Sequence, residues 1–335
     1  MLKSSPKRWL KKALVRSSIL QMAAHVVPTS AVILAYHSIV EEPKETEQIL
    51  GLSASRKTFE AHMRILAEQF SPVTVADVAE FAEQGRKLPP RAVAVTFDDG
   101  FADNFTVALP VLARCGIPAT FYIFVNAVAA GTLPWYCRVR FALSTTRKTE
   151  WELPGSNSKY SLESPANRKA ALTAAWEACA GKTGDDQLEA VSQIERALNV
   201  ETVNGEHGFM MTWSQVQELR KAGHTIGAHT MSHPNVAHVS ETEARFEIVE
   251  SKKRLERELG VPVEHFSYPH PALNPQWSRQ TLEITREAGF KSAVLTTCGP
   301  IHRGDDPLAL KRIYTAPDVD QFTWNLQSTF LGKTI

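Results

Sequence analysis

The sequence contains few cysteines, and their spacing argues against the two common structural uses of this residue. Only four cysteines occur in 335 residues. No two of them form a CxxC metal-binding pair or a short disulfide framework. Scattered cysteines of this kind are typical of buried free thiols, and we therefore expect a reducing environment.

Long apolar runs and an excess of basic charge are also missing. No stretch reaches the roughly 18 apolar residues that a membrane-spanning helix needs. The formal net charge is +1, and six basic residues without an acid lie within 1–16, so the remaining chain carries about −5. This charge argues against a nucleic-acid groove across the body of the protein, because phosphate binding needs clustered positive charge.

Residues 1–28 form a basic lead-in. Its segment KRWLKKALVRSSIL could be an amphipathic helix on an anionic membrane surface, or a solvated helix with no partner. As a secretory signal the segment is poor, because Gln21 and His25 interrupt its apolar part. We therefore expect a cytoplasmic protein, with peripheral membrane contact through this helix left open.

The rest of the chain alternates between strand-like and helix-like patterns. Strands are predicted over 31–37, 92–97, 119–125, 224–229, 264–268, 292–296 and 309–314. Such alternation predicts a parallel sheet, and seven repeats are enough to close a barrel. We therefore predict an α/β fold, a distorted TIM-like (β/α)7 barrel over 29–335, with a mostly helical insertion at about 130–208. The segment 240–260 is typical of a helix with Phe246, Val249 and Leu255 on its buried side.

Potential metal ligands follow two of these strands. Asp98 and Asp99 end one strand, and His229 and His233, four residues apart, come after another. The carboxyl ends of barrel strands share one rim, which is where such barrels carry their chemistry. Two imidazoles and one carboxylate can form an open site for a divalent metal.

Several motifs in order resemble the polysaccharide deacetylases, a family of metal-dependent carbohydrate esterases. TFDDG (96–100) and HTMSH (229–233) are similar to the first two motifs of that family, and FSYPHP (266–271) continues the match. The resemblance implies that Asp98 is the general base and that Asp99, His229 and His233 bind the metal, with Zn²⁺ as the expected ion.

The assignments of the remaining site residues rest on segments that match the family motifs less directly. The backbone N–H of His270, after Pro269, is expected to bind the oxyanion, beside Tyr268. Many members carry the general acid in a C-terminal IxLxH strand, whereas here VILAYH (32–37) stands at the front. We therefore assign His37 as the acid, with His302 and His270 as alternatives.

A residue of this chain also departs from the family pattern. The family often places an arginine where Ser267 stands, and Arg312 could take over the orientation of the catalytic base. Trp135, Trp213 and Trp277 could stack on sugar rings or belong to the core.

The predicted function is removal of acetyl groups, expected to be N-acetyl, by metal-activated water. The expected partner is an acetylated sugar oligomer, polymer or lipid-linked glycan, with no nucleic acid. Two alternatives stay open at this point. One is a non-catalytic glycan-binding barrel, and the other is a metal-dependent phosphohydrolase.

Overall fold

The structure is a computed structural model that describes residues 30–41, 53–201 and 208–333. The basic lead-in at 1–28 lies outside these residues. In the described part, the strands are β1 (Ser30–Tyr36), β2 (Ser38–Val40), β3 (Ser53–Ser55), β4 (Ser71–Pro72), β5 (Ala92–Phe97), β6 (Ala119–Ile123), β7 (Glu150–Glu152), β8 (Lys159–Ser161), β9 (Thr225–Ala228), β10 (His265–Ser267), β11 (Ser292–Val294), β12 (Ile301–His302) and β13 (Ile313–Tyr314).

The helices alternate with these strands along much of the chain. They are α1 (Arg56–Gln69), α2 (Val75–Gln84), α3 (Leu109–Cys115), α4 (Val125–Ala130), α5 (Trp135–Thr145), α6 (Pro165–Ala180), α7 (Gly184–Leu198), α8 (Trp213–Lys221), α9 (Glu241–Leu259), α10 (Arg279–Glu287) and α11 (Val319–Phe330). None of the described helices is both long and apolar enough to cross a membrane.

Seven parallel strands form a curled sheet that closes into a distorted barrel. Their order is β11, β10, β9, β6, β5, β1 and β13. The ring closes where the chain before β13 meets β11, through a parallel bridge between Val294 and Leu310. All seven strands predicted from the sequence are present, so the predicted (β/α)7 barrel is confirmed. The short β12 adds antiparallel pairing at the start of β1.

The strands read as continuous apolar runs because both of their faces are buried. Ala31 and Ile33 of β1 pack in one cluster with Tyr122, while the alternate residues Val32 and Leu34 pack in the larger cluster. Gly227 of β9 is required beside Tyr122, since an added Cβ would lie 2.5 Å from the tyrosine ring. The ring of Tyr122 therefore occupies space that a side chain at 227 would need.

The region between β6 and β9 is larger than an ordinary strand connection. It contains α4 to α7 and an antiparallel hairpin formed by β7 and β8. Arg138 of α5 joins Glu195 of α7 through two hydrogen bonds of 2.9 and 2.7 Å. This region, predicted as a mostly helical insertion, places α5 and α6 beside the carboxyl ends of the barrel strands.

Helix α9 exposes a residue that the sequence pattern assigned to its buried side. Phe246 is 55% exposed, whereas Leu255 is buried as predicted and Glu247 is buried instead. The assignment of Phe246 was wrong because α9 turns a carboxylate inward, toward the loop after β9. The helix starts at a Ser240–Glu243 capping box.

Candidate active site

Three potential metal ligands meet at the carboxyl ends of β5 and β9. Oδ1 of Asp99 lies 3.6 Å from Nε2 of His229 and 3.5 Å from Nε2 of His233. All three side chains are buried, and one ligand atom from each lies within 4.8 Å of the others. The prediction that these residues would be neighbours is therefore met by the geometry.

The donor set fits a divalent cation. In the described part of the chain, neither carboxylate oxygen of Asp99 has a hydrogen-bond partner, although both are buried. A buried carboxylate without donors is costly unless a cation compensates it. Nδ1 of His229 lies 2.7 Å from the carbonyl oxygen of Ser267, which can only accept a hydrogen bond. Nδ1 therefore carries the proton, and Nε2 keeps a lone pair for a metal.

Burial keeps the His229 imidazole uncharged, which is the form that binds a metal. Burial lowers the pKa of His229 to about 4, although the nearby Asp98 carboxylate acts in the opposite direction. At neutral pH the ring is uncharged, as a metal-binding histidine must be.

The backbone that carries the ligands is held in an uncommon conformation. Asp99, Thr230 and His233 have φ of 77°, 64° and 60°, in the left-handed region that non-glycine residues rarely adopt. The hydroxyl of Thr230 accepts a hydrogen bond of 3.0 Å from the backbone N–H of His233.

Glu247 of α9 fixes the same loop from outside. Its Oε2 accepts hydrogen bonds of 2.8 Å from the backbone N–H groups of Met231 and Ser232, and its Oε1 accepts one of 2.5 Å from the Ser232 hydroxyl. This role of Glu247 could not be predicted from the sequence, because a glutamate in a highly charged helix is expected to be exposed to solvent.

Asp98 is held by a buried bidentate ion pair. Arg312 Nη1 and Nη2 donate to Asp98 Oδ1 and Oδ2 at 2.8 and 2.7 Å. Arg312 also donates to the Leu295 carbonyl and to the hydroxyls of Thr96 and Ser267. The structure thus brings Arg312, which immediately precedes β13, onto the Asp98 carboxylate. It lies there next to Ser267, the position at which the family often has its arginine.

The same contacts set the ionisation of Asp98. Burial acts to raise the pKa of the Asp98 carboxyl, but the charge and hydrogen bonds of Arg312 outweigh it. The net result is a pKa below the usual value, and the carboxylate stays ionised at neutral pH.

A cavity of about 300 Å³ opens above these groups. His37, which follows β1, lines it together with the metal ligands and Asp98. The His37 ring lies parallel to that of Tyr314, with 6.4 Å between centroids. His302 cannot share this position, because it pairs with Ser30 at the opposite end of β1. Six residue steps along the strand separate the two ends by about 20 Å, which excludes His302 as the alternative acid.

The FSYPHP segment forms a further part of the cavity wall. Tyr268 is buried, and its backbone N–H donates to the Val294 carbonyl at 3.1 Å. Tyr268 and His270 line the cavity, with Pro269 between them in the chain. The Nε2 atom of His270 lies 3.0 Å from the carbonyl oxygen of Leu273, so this ring is engaged within its own loop.

The aromatic residues that line the cavity differ from those singled out in the sequence. Tyr136 and Trp176, from α5 and α6, are lining residues together with Arg140. Trp135 instead is buried and donates to the His233 carbonyl at 3.1 Å. The place of Trp176 in the cavity could not be predicted from the sequence, because it depends on how the insertion packs over the barrel.

Comparison with known families agrees with this geometry. The family model described as polysaccharide deacetylase matches residues 85–152 and 172–293, more than half of the chain. This chain belongs to the polysaccharide deacetylase family. The match omits residues 153–171, which lie in the region between β6 and β9 of the deacetylase.

Individual relatives are distant from this deacetylase. YxkH of Bacillus subtilis (strain 168), assigned to the same family, is 21% identical over 291 residues, 87% of this chain and 73% of YxkH. The poly-beta-1,6-N-acetyl-D-glucosamine N-deacetylase of Escherichia coli (strain K12) is 32% identical over 89 residues, 26% of this chain and 13% of that protein.

A solved structure shares the fold. The deacetylase PplD of Streptococcus pyogenes superposes with a TM-score of 0.61 at 18% sequence identity, over 90% of this chain and 99% of PplD. The likeness supports the barrel assignment for this family member.

Proposed function

We propose that this deacetylase removes N-acetyl groups from a glycan or glycan precursor with the help of one bound Zn²⁺. The observation that carries the proposal is the pairing of two carboxylates with different surroundings. Asp99 faces two imidazoles and has no hydrogen-bond donor in the described part of the chain, whereas the adjacent Asp98 is fixed by Arg312. One carboxylate is thus available to a metal and the other to a proton.

Asp99, His229 and His233 would hold the metal. When bound there, a divalent ion supplies Lewis-acid polarisation and lowers the pKa of water. One carboxylate and two neutral imidazoles suit zinc, and this donor set is the reason we propose it over other divalent ions.

Asp98 would act as the general base. Its two oxygens already accept from Arg312, but a carboxylate has about four acceptor sites, so it can still take a proton from the attacking water. Arg312 keeps the carboxylate oriented and ionised. The backbone N–H of His270 would donate to the developing oxyanion, and His37 would protonate the leaving amine.

The N-acetyl assignment rests on relatives that act on N-acetylated sugars by name. They include the Escherichia coli enzyme and a chitooligosaccharide deacetylase of Azorhizobium caulinodans, 31% identical over 98 residues. No observation favours a phosphohydrolase, because a site for Mg²⁺ and phosphate is built from oxygen ligands rather than an imidazole pair. The cytoplasmic location and a membrane contact of residues 1–28 stay predictions, which fractionation of cells would test.

The experiment is acetate release from a panel of N-acetylated oligosaccharides. We expect release by the protein as purified, loss after chelation, and recovery when zinc is restored. A folded protein that binds zinc and sugar but releases no acetate from any oligosaccharide would instead support the glycan-binding alternative.

A further inference from the structure

One wall of the catalytic cavity comes from the insertion and carries a positive charge. Arg140 of α5 and Trp176 of α6 both line the cavity that contains Asp98 and Asp99. The guanidinium carbon of Arg140 lies over the Trp176 ring, 4.8 Å from its centroid. The ring is itself fixed, because Trp176 Nε1 donates to the Tyr136 carbonyl at 2.9 Å.

Arg140 forms no ion pair with any residue that the structure describes. Within the described ranges, no carboxylate lies within ion-pair distance of its guanidinium, and no hydrogen bond from it is found. The neighbouring Arg138 is different, since it forms the buried ion pair with Glu195. Arg168, on α6, donates to the carbonyls of Leu143 and Thr146.

The two carboxylates of the cavity do not pair with Arg140 either. Asp98 is paired with Arg312, and Asp99 lies between the two histidines. Burial lowers the pKa of Arg140, which reflects a cation partly removed from water without an anion, although a guanidinium remains charged at neutral pH. A half-buried cation of this kind, without a protein partner for its donors in the described ranges, can bind an anionic ligand.

We propose that Arg140, held over the Trp176 ring, binds an anionic group of the substrate, either a carboxylate or a phosphate. The glycan would then carry negative charge close to the sugar that loses its acetyl group. The proposal rests on the proposed function for the identity of the substrate, but charge recognition at Arg140 can be measured without any reaction.

The first test is therefore binding of sugars that have no acetyl group. Zinc-loaded wild type and Arg140→Gln are titrated calorimetrically with cellotetraose and with cellotetraose carrying one carboxylate or one phosphate at a C6 position. We expect wild type to bind at least one charged sugar about tenfold more tightly than the neutral one, a difference typical of a charge-assisted hydrogen bond. Arg140→Gln should lose this preference.

The two charged sugars distinguish the source of the anion. Tighter binding of the carboxylate form indicates a uronic-acid glycan, and tighter binding of the phosphate form indicates a phosphate-substituted one. Equal or undetectable binding of charged and neutral sugars by wild type overturns the proposal, as does a preference that survives in Arg140→Gln. Arg140→Lys, which keeps the charge but not the planar fork, should retain part of the preference.

A matched control separates recognition from a general charge effect. Arg64→Gln removes one exposed arginine from α1, outside the cavity lining, and should bind all three sugars as wild type does. Acetate release from charged and neutral N-acetylglucosamine oligomers is measured in parallel. Failure of all release would contradict the proposed function, while the binding result would still decide the role of Arg140.

Discussion

The buried pair of Asp98 and Arg312 allows a prediction in which two damaging changes compensate each other. Arg312 is 0% exposed and Asp98 is 3% exposed, so removing either charge leaves the other in the interior without its partner. Loss of one member of a buried ion pair costs about 3–5 kcal/mol. We therefore expect Arg312→Met and Asp98→Asn each to lower the free energy of unfolding by about this amount.

In the double variant Asp98→Asn/Arg312→Met, neither member of this pair remains as a buried charge without its partner. Its free energy of unfolding should lie within about 2 kcal/mol of wild type, because an ion pair replaced by neutral groups is often close to neutral for stability. The two single changes should therefore be strongly non-additive.

The assay is urea unfolding at pH 7, followed by tryptophan fluorescence, on wild type, both single variants and the double variant at one zinc concentration. Single variants within 1 kcal/mol of wild type would show that the pair is hydrated. A double variant as unstable as the sum of the singles would show that the two residues act independently. Either result would refute the reasoning.

Two further predictions concern Glu247, which holds the loop after β9, and Gly227 in the barrel core. Glu247→Leu leaves two backbone N–H groups and a hydroxyl without an acceptor, so calorimetry should show zinc affinity lowered about 10–100-fold. In Glu247→Gln the amide oxygen can still accept from both N–H groups and the amide nitrogen can donate to the Ser232 hydroxyl, so most of the affinity should remain. Gly227→Ala collides with Tyr122 and should lower the free energy of unfolding by about 1–3 kcal/mol in urea titrations. Wild-type zinc affinity in Glu247→Leu, or wild-type stability in Gly227→Ala, would contradict the packing described.

A pH titration completes this set. Burial lowers the pKa of His62 from 6.5 to about 4, so the folded protein keeps this ring neutral while the unfolded chain takes up a proton. The free energy of unfolding should fall by about 3 kcal/mol from this group as the pH drops from 6.5 to 4, and by less in His62→Gln. Parallel pH curves for the two proteins would exclude this contribution.

Much of the fold and the centre of the site could be predicted because they depend on local patterns. Buried parallel strands are continuous β-branched runs, and the carboxyl ends of such strands converge on one rim. This rule was sufficient to bring Asp98 and Asp99 to His229 and His233. The resemblance of VILAYH to a family motif, and not this rule, pointed to His37, which lines the same cavity.

The parts that escaped prediction depend on contacts between distant segments. The buried face of α9 was predicted wrongly at Phe246. The helix instead buries Glu247, whose carboxylate accepts hydrogen bonds from the loop after β9. Arg140 and Trp176 were missed since only the packing of α5 and α6 over the barrel brings them to the cavity. The β7–β8 hairpin has strands of three residues each, too short to show a period.

The central claim, that Asp98 moves a proton while its neighbour holds the metal, is tested by measuring zinc content and acetate release on the same samples. The double variant Asp98→Asn/Arg312→Met, which we expect to fold, should bind one zinc per chain and release no acetate. Asp99→Asn should release no acetate and should also bind no zinc. Acetate release by the double variant, or stoichiometric zinc in Asp99→Asn, would contradict this division of roles.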